Sequence, residues 1–353
     1  MKNILFATTA LVATAGIASA DVSITGFAEI GVFDNGSGDM QLFNDIDVTF
    51  SMTGETDGGL SFGASVDLDE ISDVAENAAT DNNSRAGIAA NISGGFGTVT
   101  LGDTDGASDW ALTETAVGGS MADDHTAHAG YSGNSPFDGV SDGQILRWNN
   151  TVGAMGVAIS FEQAADGATS DNDDTVQIGL KYSMEAAGAT IGLGIGYADA
   201  GSQTVAGAAA VASIIATDDG SAGVVVDAAG VTTALTGETA IQTGSVAGAA
   251  TSGDTNGMGI SLSVASGNLT GVLNYSDGEV LGVDASHVAL GIGVTMDALT
   301  IGVNWGEFDT DNVKTNGVGL AVNYNLGGGA VFQLGYGDGE GVDTMSVGLA
   351  LSF

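Results

Sequence analysis

Residues 345–353, Met-Ser-Val-Gly-Leu-Ala-Leu-Ser-Phe, decide the fold. Met345, Val347, Leu349, Leu351 and Phe353 share one parity, and Ser346, Gly348, Ala350 and Ser352 share the other. A β-strand turns successive side chains to opposite faces, so this is a ribbon with one oily side and one small, polar side. As an ordinary edge strand of a soluble sandwich it would expose a flat apolar edge and invite aggregation. Working back from it, the same two-residue period returns many times, with almost no charge on the oily parity.

The 353 residues carry 5 Lys+Arg against 44 Asp+Glu, with 58 Gly, a single Pro and no Cys. That length suits two soluble domains or one large barrel. Without Cys there is no disulfide framework and no thiol chemistry. A formal charge of −39 argues against nucleic acid as a partner, because phosphates need Lys and Arg to neutralise them. Acidic chains are often disordered, but 44% hydrophobic residues argue against that here. The balance suits a protein that meets lipid on one face and water on the other.

Residues 1–20 have the pattern of an export signal: Lys2 as a positive n-region, Ile4 to Ala15 as the apolar stretch, and Ala18-Ser19-Ala20 as a small-residue cleavage site. The mature chain is then expected to start at Asp21. Elsewhere no run of 18 apolar residues occurs, so no helix is expected to span a membrane.

Alternation places Val22, Ile24, Ala28, Ile30 and Val32 opposite Ser23, Thr25 and Glu29. It places Ile46, Val48, Phe50 and Met52 opposite Asp45, Asp47, Thr49 and Ser51. Leu60, Phe62, Ala64, Val66 and Leu68 oppose Ser61, Ser65, Asp67 and Asp69, and ionised Asp67 and Asp69 forbid a dry interior on that side. Further strands are predicted near 85–93, 96–103, 144–152, 156–162, 175–183, 189–198, 256–265, 269–276, 286–296, 299–307, 315–325, 329–337 and 344–353, sixteen in all. Short connections (54–59, 94–95, 153–155, 184–188, 266–268, 297–298 and 326–328) alternate with longer ones (34–42, 71–84, 104–143, 163–174, 199–255, 277–285, 308–314 and 338–342).

An even strand count, loops sorted by length and a last strand closing on an aromatic residue resemble a bacterial outer-membrane β-barrel. The fold class is therefore all-β, a closed antiparallel transmembrane barrel of 16 strands. The Ala-, Gly-, Thr- and Val-rich stretch 199–255 is either a long extracellular insertion with some β structure of its own or an extra hairpin making 18. With both termini at the periplasmic end, Trp148, Tyr197, Tyr275, Trp305 and Tyr336 are expected toward the outer end. Phe50, Phe62, Tyr182, Tyr324 and Phe353 are expected toward the inner end, all ten on the lipid-facing parity as two aromatic girdles. Aromatics filling a soluble core would be scattered along strand centres instead.

A barrel of this size leaves a water-filled channel, so function resides in whatever narrows it. The segment 104–143 is far longer than a hairpin needs and carries Asp105, Asp109, Glu114, Asp123, Asp124, Asp138 and Asp142. Leu101-Gly102-Asp103 followed by Gly106-Ala107-Ser108 is similar to the motif that opens the constriction loop of alphaproteobacterial general porins, with weaker likeness over most of the mature chain, including Gly54 to Ala64. The resemblance implies a trimer of sixteen-stranded barrels whose third loop folds into the lumen and forms an eyelet. The chain departs from it in the length of 199–255 and in its few basic residues.

After residue 20 the basic residues are Arg85, Arg147, Lys181 and Lys314. By parity the first three point inward, opposite loop acids that include Asp103, Asp105, Asp109, Glu114, Asp123 and Asp124; such a pairing sets a transverse field across the constriction. Keeping a cation out of lipid, where it costs ~2–4 kcal/mol at mid-bilayer, predicts the same inward placement. Glu29, Asp45, Asp47, Asp67 and Asp69 make the rest of the lumen acidic, which concentrates cations and repels anions.

Asp103-x-Asp105-Gly106 with Asp109 looks like a fragment of a calcium loop without the later ligands of an EF-hand, and solvated loop charge explains it better. No cofactor is required; Ca²⁺ or Mg²⁺ bound adventitiously by acidic loops, bridging to lipopolysaccharide phosphates, is the metal role expected. His125 and His128 beside Asp123 and Asp124 form a weaker metal candidate. No nucleophile elbow or phosphate-binding Gly-x-x-x-x-Gly-Lys motif occurs, and Gly-x-Gly pairs at 194–196 and 291–293 lie inside strands, where small inward side chains explain them better than a nucleotide. The expectation is a general diffusion channel for ions and small hydrophilic solutes in the outer membrane, preferring cations, a homotrimer among lipid and lipopolysaccharide, and not an enzyme. A solute-selective channel is the first alternative. A secreted Gly/Asp-rich calcium-binding β-solenoid is the second, against which no regular repeat is found.

Overall fold

A computed structural model describes residues 21–36, 38–68, 87–121, 126, 128–134, 144–164, 172–205, 213–215, 223–226, 232–235 and 251–353. Sixteen strands close into one antiparallel barrel. They are β1 (Asp21–Asp34), β2 (Gln41–Glu55), β3 (Ser61–Asp67), β4 (Ile88–Gly94), β5 (Gly97–Gly102), β6 (Ile145–Val152), β7 (Met155–Glu162), β8 (Thr175–Ala186) and β9 (Ala189–Val205). After them come β13 (Thr251–Ser266), β14 (Leu269–Val280), β15 (Val283–Met296), β16 (Leu299–Thr310), β17 (Val313–Gly327), β18 (Ala330–Gly339) and β19 (Val342–Ser352). The insertion supplies β10 (Ser213–Ile215), β11 (Gly223–Val226) and β12 (Thr232–Leu235), a three-stranded sheet of its own, so the barrel has sixteen strands and not eighteen. The export-signal residues 1–20 lie outside the described residues.

Closure runs through β1 and β19, which pair from Phe27 opposite Ser352 to Asp34 opposite Met345. Phe353 extends the ladder: its N–H donates to the Gly26 carbonyl at 2.8 Å. Ser346, Gly348, Ala350 and Ser352 face inward as the alternation predicts, and Met345 and Phe353 are exposed on the outside. The same division holds around the ring. Val176, Ile178, Leu180 and Tyr182 stand on the outer surface of β8, while Thr175, Gln177 and Gly179 are covered from within. Apolar side chains exposed all round a closed sheet have no core to fill; lipid is the solvent that suits them.

Let the inner end be the one where β1 starts and β19 stops. Tyr197 pairs with Met258, and Tyr275 with Ile260, two residues further along β13. Tyr275 pairs with Val288 and Trp305 with Leu290; Trp305 pairs with Val318 and Tyr336 with Leu320. The line of aromatics therefore climbs two residues at each hairpin, which is the stagger that tilts strands in a closed barrel. Tyr197, Tyr275, Trp305 and Tyr336 thus form one outer belt. Phe62, Tyr182, Tyr324 and Phe353 are exposed near the inner end, with Phe50 half-buried on the same face.

Trp148 does not belong to the outer belt. Its indole N–H donates to the Phe96 carbonyl at 2.9 Å, on the inner turn between β4 and β5. Its backbone sits mid-strand in β6, and its long side chain leans toward the end where it finds an acceptor.

The outer connections also differ from expectation. The stretches 277–285, 308–314 and 338–342 are largely strand, closed by two-residue turns at 281–282, 311–312 and 340–341. Leu281 and Gly282 (φ 53° and 74°), Asp311 and Asn312 (51° and 66°), and Glu340 and Gly341 (54° and 78°) take the left-handed conformation that a tight hairpin turn demands. Sequences such as Ser276-Asp277-Gly278-Glu279 lack an oily parity, yet backbone pairing alone continues them as strand above the lipid, where neither face has to be apolar.

Candidate functional site

The loop between β5 and β6 enters the barrel and lies along its inner wall. It opens with a short helix, α1 (107–111), because the Ala107 N–H is held by the Ser160 hydroxyl of β7 at 2.8 Å and the Ser108 N–H by the Gln177 side-chain carbonyl of β8 at 3.0 Å. The Ser108 hydroxyl donates to the Tyr197 carbonyl of β9 at 2.9 Å. Farther on, the Thr113 N–H donates to Ser261 of β13 at 2.9 Å, and Asn274 of β14 donates to the Thr113 carbonyl at 3.1 Å. Asn323 of β17 donates to the Gly119 carbonyl at 2.9 Å, and the Met121 N–H donates to Ser346 of β19 at 3.2 Å. The outgoing limb thus travels round half the circumference. Thr126, His128 and Gly130 return beneath β15, β16 and β17, and Asn134 closes the circuit by donating to Asp109 at 2.7 Å.

What admits a backbone so close to the wall is a row of inward glycines. A methyl group built on Gly179 would lie 1.8 Å from the Ala107 carbonyl oxygen, on Gly194 2.1 Å from that of Ala111, on Gly291 1.9 Å from that of Thr115, and on Gly302 1.6 Å from that of Val117. The Gly-x-Gly pairs of the sequence, 194–196 and 291–293, are part of this row. Their spacing of two is the strand period, and they serve as a bed for the loop.

The inward face of β1, β2 and β3 is acidic. The hydrogen bonds given above tie the loop to β7–β9, β13–β17 and β19. Glu29 and Asp45 are cross-strand partners on β1 and β2, Asp47 follows on the same face, and Thr49 donates to Asp67 of β3 at 3.1 Å. One oxygen of Asp47 and one of Asp67 are buried without a protein partner. Toward the inner mouth this wall continues into a recess of about 630 Å³ lined by Asp21, Thr53, Glu55, Ser61, Ser65 and Asn91 among others. Asp69 and Arg85 lie outside the described residues, as do Asp123, Asp124 and His125.

The described cations sit elsewhere. The Arg147 guanidinium on β6 donates to the Asp105 carbonyl at 2.7 Å and lies 3.3 Å from its carboxylate. The Lys181 ammonium of β8 lies 3.5 Å from the centre of the Trp110 ring and donates to the Trp110 carbonyl at 3.2 Å. These two basic residues therefore grip the root of the loop directly. They do not confront Asp105 across an open gap, because the glycine-lined wall brings the loop within reach of them. Glu114, exposed, accepts a short hydrogen bond from the Tyr131 hydroxyl.

The calcium-like triad is not assembled. Asp105 pairs with Arg147 and Asp109 with Asn134, and no group of three or more His, Asp or Glu able to hold a metal occurs among the described residues. Both ring nitrogens of His128 are engaged, Nδ1 by the Gly130 N–H and Nε2 by Asn304, which leaves no lone pair for a metal.

The sequence matches a family model described as Gram-negative porin over residues 7–344. The chain belongs to the Gram-negative porin family. Over 176 residues this porin is 30% identical to a porin of Rhodobacter capsulatus, a match taking in 49% of this chain and 55% of that protein, so the chain spans about half the length of the curated relative it matches. A porin structure refined at 1.8 Å is similar with a TM-score of 0.63 and 21% identity, over 94% of this chain and 100% of that one. A loop-deletion mutant of OmpT, an outer membrane protein of Vibrio cholerae, gives 0.62 at 12% identity over 95% and 99%. An engineered Rh. blastica porin gives 0.55 at 18% identity over 94% and 100%. These structures share the fold. Family and closed barrel together place this porin in the outer membrane, in a family of channels rather than enzymes.

Proposed function

We propose that this porin is a general diffusion channel, a passive water-filled path for ions and small hydrophilic solutes, and that it prefers cations. The observation that carries the reading is the split of charge within the lumen. Asp45, Asp47 and Asp67 are partly exposed on the inward face of β2 and β3, with Glu29 buried beside Asp45, whereas Arg147 and Lys181 are tied to the loop root. Grouped carboxylates on a low-dielectric wall concentrate cations, and the effect fades once the screening length falls below their spacing, about 10 Å at 0.1 M salt and about 3 Å at 1 M. The small outward residues Gly26, Ala28 and Ala90 leave room for close barrel-to-barrel contact and support a trimer.

Reversal potentials of purified protein in a planar bilayer under a KCl gradient test the selectivity. The expected sign is that of cation preference, reduced in Asp45→Asn/Asp47→Asn/Asp67→Asn and weakening from 0.1 to 1 M salt. Anion preference, or indifference to the triple substitution, would overturn it. Conductance arriving in steps of three is the expected mark of the trimer.

A further inference from the structure

Two of the three histidines of the chain hold one residue of the loop. The Gly130 N–H donates to His128 Nδ1 at 3.1 Å, and His287 Nε2 donates to the Gly130 carbonyl at 2.9 Å. An amide N–H only donates, so His128 Nδ1 carries no proton and that ring is neutral with its proton on Nε2. A carbonyl only accepts, so His287 carries a proton on Nε2, and burial of its Nδ1 without a partner leaves that second nitrogen unprotonated. His128 uses its Nε2 proton on the Asn304 side-chain oxygen at 3.0 Å. His287, on β15, is 4% exposed, and its Nδ1 is buried without a partner. Gly130 is seated so closely that a methyl group on it would lie 2.1 Å from the Gly306 carbonyl oxygen and 2.6 Å from the Gly317 nitrogen.

We propose that Gly130, held between His128 and His287, is a proton-sensitive latch that keeps the returning limb of the constriction loop on the wall. A proton added to His128 goes to Nδ1, turns the acceptor of the Gly130 N–H into a second donor, and breaks that bond. A proton added to His287 also goes to Nδ1, which would be charged and buried with nothing to accept its hydrogen. Among the described residues, those facing the two rings include Ser276 of β14, Asn304, Gly306 and Phe308 of β16, Gly317 of β17, and Thr126 and Tyr131 of the loop. Glu114 reaches the cluster through the Tyr131 hydroxyl. Asp277, Glu307, Asp309, Lys314 and Asp338 occupy the outward parity of their strands. The docked limb therefore binds fewer protons than the released one, and linkage fixes the sign: docking holds above the ordinary imidazole value of ~6.5 and weakens below it, by up to about tenfold per pH unit for each ring.

The inference rests on the channel reading and is tested on the same protein. Single-channel current is recorded from about pH 8 to about pH 5, spanning the ordinary imidazole value, for wild type and for His128→Asn/His287→Gln. In that variant the side-chain amides keep the acceptor and the donor and do not titrate. Wild type is expected to show closures and current noise rising at least about tenfold across that window, and the double variant a flat trace. A second variant, His287→Phe, keeps the packing on Phe308 without the donor and is expected to be noisy already at pH 8. Barrel integrity in each is read from heat-dependent gel migration. Equal pH responses in wild type and the double variant, or a quiet His287→Phe channel, would overturn the latch. Absence of any channel in all three would instead reject the channel reading.

Discussion

Gly302 offers the sharpest test of how the loop is seated. A methyl group there would stand 1.6 Å from the Val117 carbonyl oxygen, whereas ordinary contact begins near 3.4 Å, so Gly302→Ala demands a separation of 3.4 − 1.6 = 1.8 Å. The wall is paired on both sides, to β15 and β17, and resists. The loop near Val117 is tied by Asn274 at Thr113 and by Asn323 at Gly119, single hydrogen bonds worth ~1 kcal/mol each. Overpacking of this kind costs ~1–3 kcal/mol, enough to break one of those ties and lift the limb into the lumen. Single-channel conductance is then expected to fall, and the loop to become cleavable by protease added to proteoliposomes. Gly192→Ala is the control. It adds the same methyl on the same inner face, but the nearest atom is the Ser263 hydroxyl, the end of a side chain that rotates away. Wild-type conductance and protease resistance in Gly302→Ala would refute the seating described here, as would equal effects at the two positions.

Three further outcomes follow from the same geometry. Arg147→Gln removes the charge that holds the Asp105 carbonyl and carboxylate, and is expected to shift the reversal potential further toward cations and to increase current noise; an unchanged potential counts against a lumenal Arg147. Val303→Arg puts a cation on the outer face between the aromatic belts and is expected to cost ~2–4 kcal/mol in urea unfolding from vesicles, whereas Ser183→Arg, on the inner face of β8, is expected to cost far less. Asn312→Val forces a β-branched residue to a φ of 66° and is expected to destabilise the β16–β17 hairpin by ~1–2 kcal/mol, with Asn312→Gly close to neutral in the same assay.

The barrel was legible because lipid on one face and water on the other impose a choice at every second residue. Met345 to Phe353 states that choice plainly, and the register between β1 and β19 honours it. The tops of the last three hairpins were not legible. Above the belt of Tyr275, Trp305 and Tyr336 water bathes both faces, and a pairing strand there reads like a loop. The seat of the constriction loop was only half legible: its length and acidity were plain, but its partners lie 53 to 225 residues away in sequence, from Ser160 to Ser346. The signal that could have located it is the run of inward glycines at 179, 194, 196, 291, 302 and 319, too small for a wall that faces water alone. Trp148 was misplaced because position along a strand fixes where the Cα lies and not where a long side chain reaches for an acceptor.

The chain has no cysteine, so single cysteines report without background. Placed in turn at 45 to 51 along β2 and exposed to a charged, water-soluble thiol reagent in proteoliposomes, positions 45, 47, 49 and 51 are expected to react and 46, 48 and 50 to stay protected. Uniform labelling, or the opposite alternation, would contradict a hydrated lumen inside a lipid-facing wall.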